Sequence, residues 1–269
     1  PGEWYSPTQP FPTKPPAFDL QGITVDDLID FTPELRAAAI RIAERGQMGP
    51  IFMPPNVRGE GRPIIQAPGT GGGVNWPGAA VDPETGRLFV PSQTRLRAVE
   101  LIEYLPPATV GYFTETWAVP VPGPQGLPLV KPPWGRITAI DLNTGDHLWM
   151  VPLGSAPRDV REHPDLQGLG LDFSTMGQNG RPGALVTSTL LFMGEGGGVR
   201  GGVASRHGAG GPVFRAYDKR TGEVVAAITL PANPTGSPMS YMLNGRQYIV
   251  VAAATLNSPA EFIALVLPD

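Results

Sequence analysis

GRITAIDLNTGDHLWMVPL, residues 135–153, decides the fold of this chain. It joins two strand-like runs, GRITAID and HLWMVPL, through Asp141-Leu142-Asn143-Thr144-Gly145. The same Asp-x-x-Thr-Gly grammar recurs at Asp82–Gly86 before RLFV and at Asp218–Gly222 before EVVAAITL. Such a segment reads as a hairpin turn, in which the Asp carboxylate accepts backbone N–H groups, Thr adds a hydroxyl and Gly takes positive φ. Three copies mark a repeat.

Working outward from these turns, the strands fall into sets of four. The first set is NWPGAAVD, RLFVPS, GRITAID and HLWMVPL, interrupted by a long insertion at about 93–133. The second is PGALVTS, LLFMGE, VFRAYD and EVVAAITL, with a Gly-rich insertion at about 195–211. The third has three strands, SPMSYML, RQYIVVAAA and EFIALVLP, the first two joined by the type I′ hairpin signal Asn244-Gly245. Four-stranded sheets repeated radially are the blades of an all-β propeller. The blades are expected at about 64–154, 177–231 and 236–269. A ring needs at least four, so the rest of it is expected from upstream sequence, a cleaved partner or another subunit. Propellers often close by borrowing the missing strand from the N-terminal end of the chain. A compact β-sandwich built from the same strands is the competing architecture.

Composition agrees with short strands and turns. Gly (35) and Pro (33) exceed a fifth of the 269 residues while only 16% are charged. Net charge is −4 and the basic residues are scattered, which gives no footprint for nucleic acid. Cysteine is absent, excluding disulfides, a thiolate nucleophile and Cys-based metal sites. No apolar run approaches the ~20 residues of a membrane-spanning helix, and no signal or transit segment is visible. The start at Pro1 suggests the visible part of something longer.

Residues 1–63 stand apart as a proline-rich extended segment followed by a helical excursion. Thr24 with Asp27 suits a short capped turn. Thr32-Pro33-Glu34 supplies an N-cap, Pro at the first helical position and an acid at the positive end of the dipole. Leu35, Ala38, Ala39 and Ile42 keep helical spacing until Gly46. This helix is expected on the propeller's outside or face.

The stretches GGGVNWPGAAVDPETGRLFVPS (71–92), KPPWGRITAIDLNTGDHLWMVPLG (131–154), GRPGALVTSTLLFMGEG (180–196), FRAYDKRTGE (214–223) and SPMSYMLNGRQYIVVAAA (237–254) resemble the C-terminal blades of PQQ-dependent (quinoprotein) dehydrogenases. The membrane-bound glucose dehydrogenase group and its soluble relatives are the type resembled, and SPTQPFPTKPPAFDLQGIT (6–24) shares that likeness. The resemblance implies an eight-bladed propeller, of which this chain supplies roughly the last three blades. It also implies tryptophan-docking motifs between blades, with AIDLNTG and Trp149 an intact example and Ala226 standing where the third copy would place its Trp.

The implied activity is oxidation of a sugar, polyol or alcohol by hydride transfer to pyrroloquinoline quinone (PQQ), with electrons passed to a quinone or cytochrome and a periplasmic or secreted location. A Ca²⁺ ion polarises the quinone in the family. Its ligands and the catalytic Asp belong to blades preceding residue 1, so no catalytic residue and no metal ligand is assigned here.

Three segments occupy the same blade position, at the entrance to the innermost strands: Asn75-Trp76-Pro77-Gly78, Arg181-Pro182-Gly183 and Ser237-Pro238-Met239. PQQ is a flat tricarboxylate that needs apolar faces, edge donors and positive charge. By resemblance, Asn75 bonds a quinone-side oxygen; the plain structural reading is an Asn holding the 69–73 turn. Trp76 lines the cofactor cavity or packs between blades. Arg181, with Pro182 beside it, falls where alcohol-oxidising relatives carry Trp. Its guanidinium suits either a PQQ carboxylate or an ion pair.

Gly71–Gly73 lacks the context of a phosphate cradle. His147, His163 and His207 lack metal-ligand spacing, and Asp159, Glu162, Asp165 and Asp172 read as a solvated acidic loop. Ala253-Ala254-Thr255-Leu256 replaces the Gly-Gly-His-type motif common in glucose-oxidising members, so glucose is not favoured over another sugar, polyol or alcohol. The alternative function is a non-catalytic PQQ-like propeller serving as a protein-binding scaffold, which has no need of the axial Asn75-Trp76 pair.

Overall fold

The computed structural model describes residues 8, 10–75, 78–105, 107, 109–114, 121–196, 210–255 and 258–267. Thr24 and Asp27 form a capping box around the 3₁₀ turn Val25–Asp27, the Thr24 N–H donating to Asp27 Oδ2 at 2.7 Å. Helix α1 (Pro33–Ala43) begins where Thr32 Oγ1 accepts the Leu35 N–H at 3.2 Å, satisfying an otherwise orphaned donor. Its buried stripe is Leu35, Ala39 and Ala43. That stripe joins a core shared with Ile23, Leu28 and Ile29, with Leu127 and Leu129 of the 93–133 insertion and Trp134 just after it, and with Val160 and Leu166. The helical excursion and the insertion therefore fold against one another.

Strand β1 (Ile64–Gln66) lies at the expected start of the first blade but pairs with β4 (Arg97–Val99) of the insertion. The blade proper comprises β2 (Ala80–Asp82), β3 (Arg87–Gln93), β7 (Gly135–Asp141) and β8 (His147–Pro152), all antiparallel neighbours in that order. Between β4 and β7 the insertion adds the short hairpin β5 (Ile102–Glu103) and β6 (Tyr112–Phe113). A second sheet runs β9 (Ala184–Val186), β10 (Leu190–Gly194), β11 (Val213–Asp218), β12 (Val224–Thr229). The third is β13 (Met239–Leu243), β14 (Arg246–Thr255), β15 (Ser258–Val266).

The turns form for the reason read from the sequence. Asp141 Oδ1 accepts the Asn143 N–H and Asp218 Oδ1 the Arg220 N–H, both at 2.8 Å, while Asp82 Oδ1 accepts from Glu84 at 3.2 Å. Gly86, Gly145 and Gly222 close the turns at φ 64°, 74° and 78°, values that penalise a Cβ.

The first two sheets share one core of Phe89, Ile137, Ala139, Leu153, Leu191, Met193 and Tyr217. The seam between them has two links. The Trp149 indole covers Gly222 of the next sheet's turn and donates its Nε1–H to the Lys219 carbonyl at 3.3 Å. The Lys219 ammonium meets Asp82 Oδ2 at 2.6 Å, with both side chains 5% exposed. In the second sheet the residue with Trp149's register is Ala226, paired with Ala216 as Trp149 is with Ala139.

Candidate functional site

The entrances to the inner strands of the first two sheets meet in a depression lined by Gly73, Asn75, Gly78, Pro91, Gly180, Arg181 and Pro182. The third segment follows on, because a Cβ on Gly183 would strike Ser237. Three of the four cofactor contacts expected from sequence, Asn75, Arg181 and Pro182, thus line one depression. The fourth, Trp76, lies outside the described residues.

Local bonds hold the Gly-rich approach in place. The Gly69 N–H donates to the Arg95 carbonyl at 2.7 Å, and the Gln93 N–H to the Gly73 carbonyl at 2.9 Å, so residues 69–73 are stapled along the end of β3. Asn75 Nδ2 donates to the Gly71 carbonyl at 2.8 Å, and the Asn75 carbonyl accepts from Gly78. The turn-holding role weighed for Asn75 is therefore present, beside its place in the depression's lining. Gly71 and Gly72 adopt φ 98° and 69°, bringing the backbone close to the depression without side chains.

Arg181 is exposed at the rim, and its Nη2 lies 3.2 Å from where a Gly71 Cβ would stand. No carboxylate among the described residues pairs with it, so the ion-pair alternative finds no partner there. Pro91 and Pro182 give the depression apolar patches.

Two further arginines, Arg95 and Arg97, were not singled out by the sequence. The stem of Arg97 covers Gly69. Burial first, then repulsion from Arg181 and Arg97, pulls the Arg95 guanidinium down to about 10. Burial and Arg181 lower Arg97 in the same direction. Both remain cations at neutral pH. The readable signal was their i, i+2 spacing, which puts two side chains on one face of an extended segment.

The remaining sequence candidates resolve as structural groups. His147 Nε2 bonds the Pro16 carbonyl at 3.0 Å, and His163 Nδ1 accepts the Asp165 N–H at 3.2 Å. His207 and residues 197–209 of the Gly-rich insertion lie outside the described residues. Glu162 pairs with Arg158, and Asp172 accepts from Ser174. Among the described residues no group of three or more His, Asp or Glu could hold a metal ion.

Successive antiparallel sheets whose inner strands converge on a shared depression define an arc of a β-propeller. Residues 1–249 match the PQQ glucose/ethanol/alcohol dehydrogenase β-propeller domain, and the chain belongs to that family. It is similar to the glycerol dehydrogenase large subunit of Gluconobacter oxydans, 29% identical over 302 residues, covering all of this chain and 38% of that protein. It is 28% identical to quinate/shikimate dehydrogenase (quinone) of Acinetobacter baylyi, covering 94% of this chain and 31% of the relative. Quinoprotein glucose dehydrogenase of Escherichia coli is 27% identical, covering 100% and 34%. The chain thus spans about a third of the length of these relatives. Among solved structures, quinohemoprotein alcohol dehydrogenase from Comamonas testosteroni superposes with TM-score 0.45 at 22% identity, covering 82% of this chain and 32% of that one.

Proposed function

We propose that this chain is the C-terminal portion of a PQQ-dependent dehydrogenase that oxidises a hydroxyl group of a polyol, sugar or alcohol. The family match over residues 1–249 carries the reading. Relatives named for glycerol, quinate or shikimate, and glucose all act on polyhydroxy compounds, which supports that substrate class. The remaining blades are the partner this arc requires, and a quinone or cytochrome is the electron acceptor in the periplasm.

The depression fits an edge of PQQ rather than the whole. Its lining comes from two blade entrances only, Gly73 to Pro91 and Gly180 to Pro182, which makes it one wall of a site. The remaining walls are assigned to other blades, together with the Ca²⁺ ligands and the base that takes the substrate proton. Bound there, PQQ supplies a two-electron acceptor for hydride. On this chain, Asn75 would offer an amide donor to an oxygen of the bound quinone, where it would stabilise developing oxyanion charge. Arg181 offers a planar fork matched to a carboxylate. Pro91 and Pro182 would shield the bound group from water, and Gly71–Gly73 would let the backbone approach it.

The test is the complete protein that carries this chain, supplied with PQQ and Ca²⁺ and assayed with glycerol, quinate, glucose and ethanol using an artificial electron acceptor. PQQ-dependent reduction with at least one of them is expected. Replacing Asn75 with Ala should lower kcat by about 100-fold, the scale of losing one oxyanion donor. Failure of the protein to perturb PQQ absorbance would sink the reading.

A further inference from the structure

We propose that Arg95, Arg97 and Arg181 together form a carboxylate-binding site at the rim of the Asn75 depression. Two of the side chains and the backbone of the third border one short turn. Arg97 covers Gly69, Arg181 reaches Gly71, and the Arg95 carbonyl receives the Gly69 N–H. The turn between them has no side chain at Gly69, Gly71 or Gly72, so an incoming group meets guanidinium, backbone and the exposed Thr70.

The cations lack a counter-charge. No hydrogen bond or ion pair to any of the three side chains occurs among the described residues, whereas Arg136, Arg215 and Lys219 each have a carboxylate partner. Arg95 Nε is buried with no acceptor. Asp19, which borders Gly73, is committed through Oδ1 to Arg136 at 2.9 Å and Thr94 at 2.7 Å. A partly desolvated cluster of like charges costs folding energy unless an anion completes it. Guanidinium forks select planar, two-oxygen anions, which favours a carboxylate.

The carboxylate belongs either to the cofactor or to an acidic polyol substrate. That assignment of the ligand rests on the dehydrogenase reading, while the site itself rests on the three side chains. Two matched pairs separate the sources when titrated calorimetrically into the complete protein at low ionic strength. PQQ against its trimethyl ester is titrated into the cofactor-free form, and gluconate against glucitol into the PQQ-loaded form.

In one pair the acid should bind at least about tenfold more tightly than its neutral counterpart, the worth of one charged hydrogen bond. Arg97→Gln should remove most of that preference, and the double substitution R95Q/R97Q should abolish it. Should R97Q not fold, R97K keeps the charge but loses the fork and is expected to lower the preference too. Because Arg97 has no partner to lose and repels its neighbours, cofactor-free R97Q should melt no lower than the parent. Equal binding of acid and neutral forms in both pairs, or a preference unchanged in the arginine variants, overturns the site. If PQQ does not bind, and gluconate titrated instead into the cofactor-free protein shows an arginine-dependent preference, the site stands and the dehydrogenase reading falls. If PQQ binds without arginine dependence and gluconate shows none either, the reading stands and the site falls.

Discussion

At the scale of single residues, Lys219 bears the most connections between sheets. Its ammonium bonds Asp82 of the first sheet and the Thr187 carbonyl of its own, and its backbone carbonyl takes the Trp149 indole. Removing one member of a buried pair strands the other charge, so Lys219→Met should cost about 3–5 kcal/mol in a denaturant titration. Adding Asp82→Asn to that variant should return part of the loss. The bond from Lys219, helped by the Thr85 hydroxyl, holds the Asp82 carboxyl down to about 2 from its ordinary 3.8. A carboxylate whose folded pKa is depressed contributes stability above its unfolded pKa. That stability disappears as pH falls from about 4 towards 2. Melting temperature should drop across that window in the parent, with a smaller drop in the Asp82→Asn/Lys219→Met pair. Parallel profiles for the two proteins would contradict this account.

At the scale of elements, the two seams make a natural comparison. Trp149 of β8 closes the first by covering Gly222. Ala226 of β12 occupies the equivalent register in the second and carries no ring to cover a neighbouring turn. Trp149→Ala should therefore destabilise by about 2–4 kcal/mol, somewhat less than a fully buried Trp because the ring is half-buried. Ala226→Trp should raise the melting temperature by adding apolar contact at the second seam, by about 1 kcal/mol of stability. A lowered melting temperature for Ala226→Trp would show that the second seam is built differently. The turns beneath these seams were legible because their chemistry is local: an Asp carboxylate, a Thr hydroxyl and a positive-φ Gly act within five residues. The strand order followed from them, and so did the meeting of Asn75 with Arg181 and Pro182. What stayed hidden depends on distant segments. Asp82 and Lys219 are 137 residues apart, and Arg95 and Arg97 gain meaning only when residues 69–73 are stapled beside them. The pairing of β1 with β4 was hidden for the same reason, since a three-residue apolar run carries no address.

At the scale of the whole molecule, the last two sheets leave much apolar surface in water. Every residue of β12 is exposed, including Val224, Val225 and Ile228, and on β15 Phe262 is 83% exposed. On β13, Met239, Met242 and Leu243 are exposed as well. Exposed apolar area of this kind marks an interaction surface, and among the described strands β15 has a neighbour on one side only. A partner sheet from the rest of the ring would cover β15. These 269 residues expressed alone should therefore self-associate and bind a hydrophobic dye, as read by sedimentation and fluorescence. Phe262→Lys separates the two settings. Alone, the substituted chain should self-associate less, because a Lys on an edge strand opposes pairing. In the complete protein the same change should destabilise by about 2 kcal/mol or more, because it forces a charge into a packed seam. If Phe262→Lys leaves the complete protein's melting temperature unchanged, β15 faces solvent there as well, and the ring closes on some other strand.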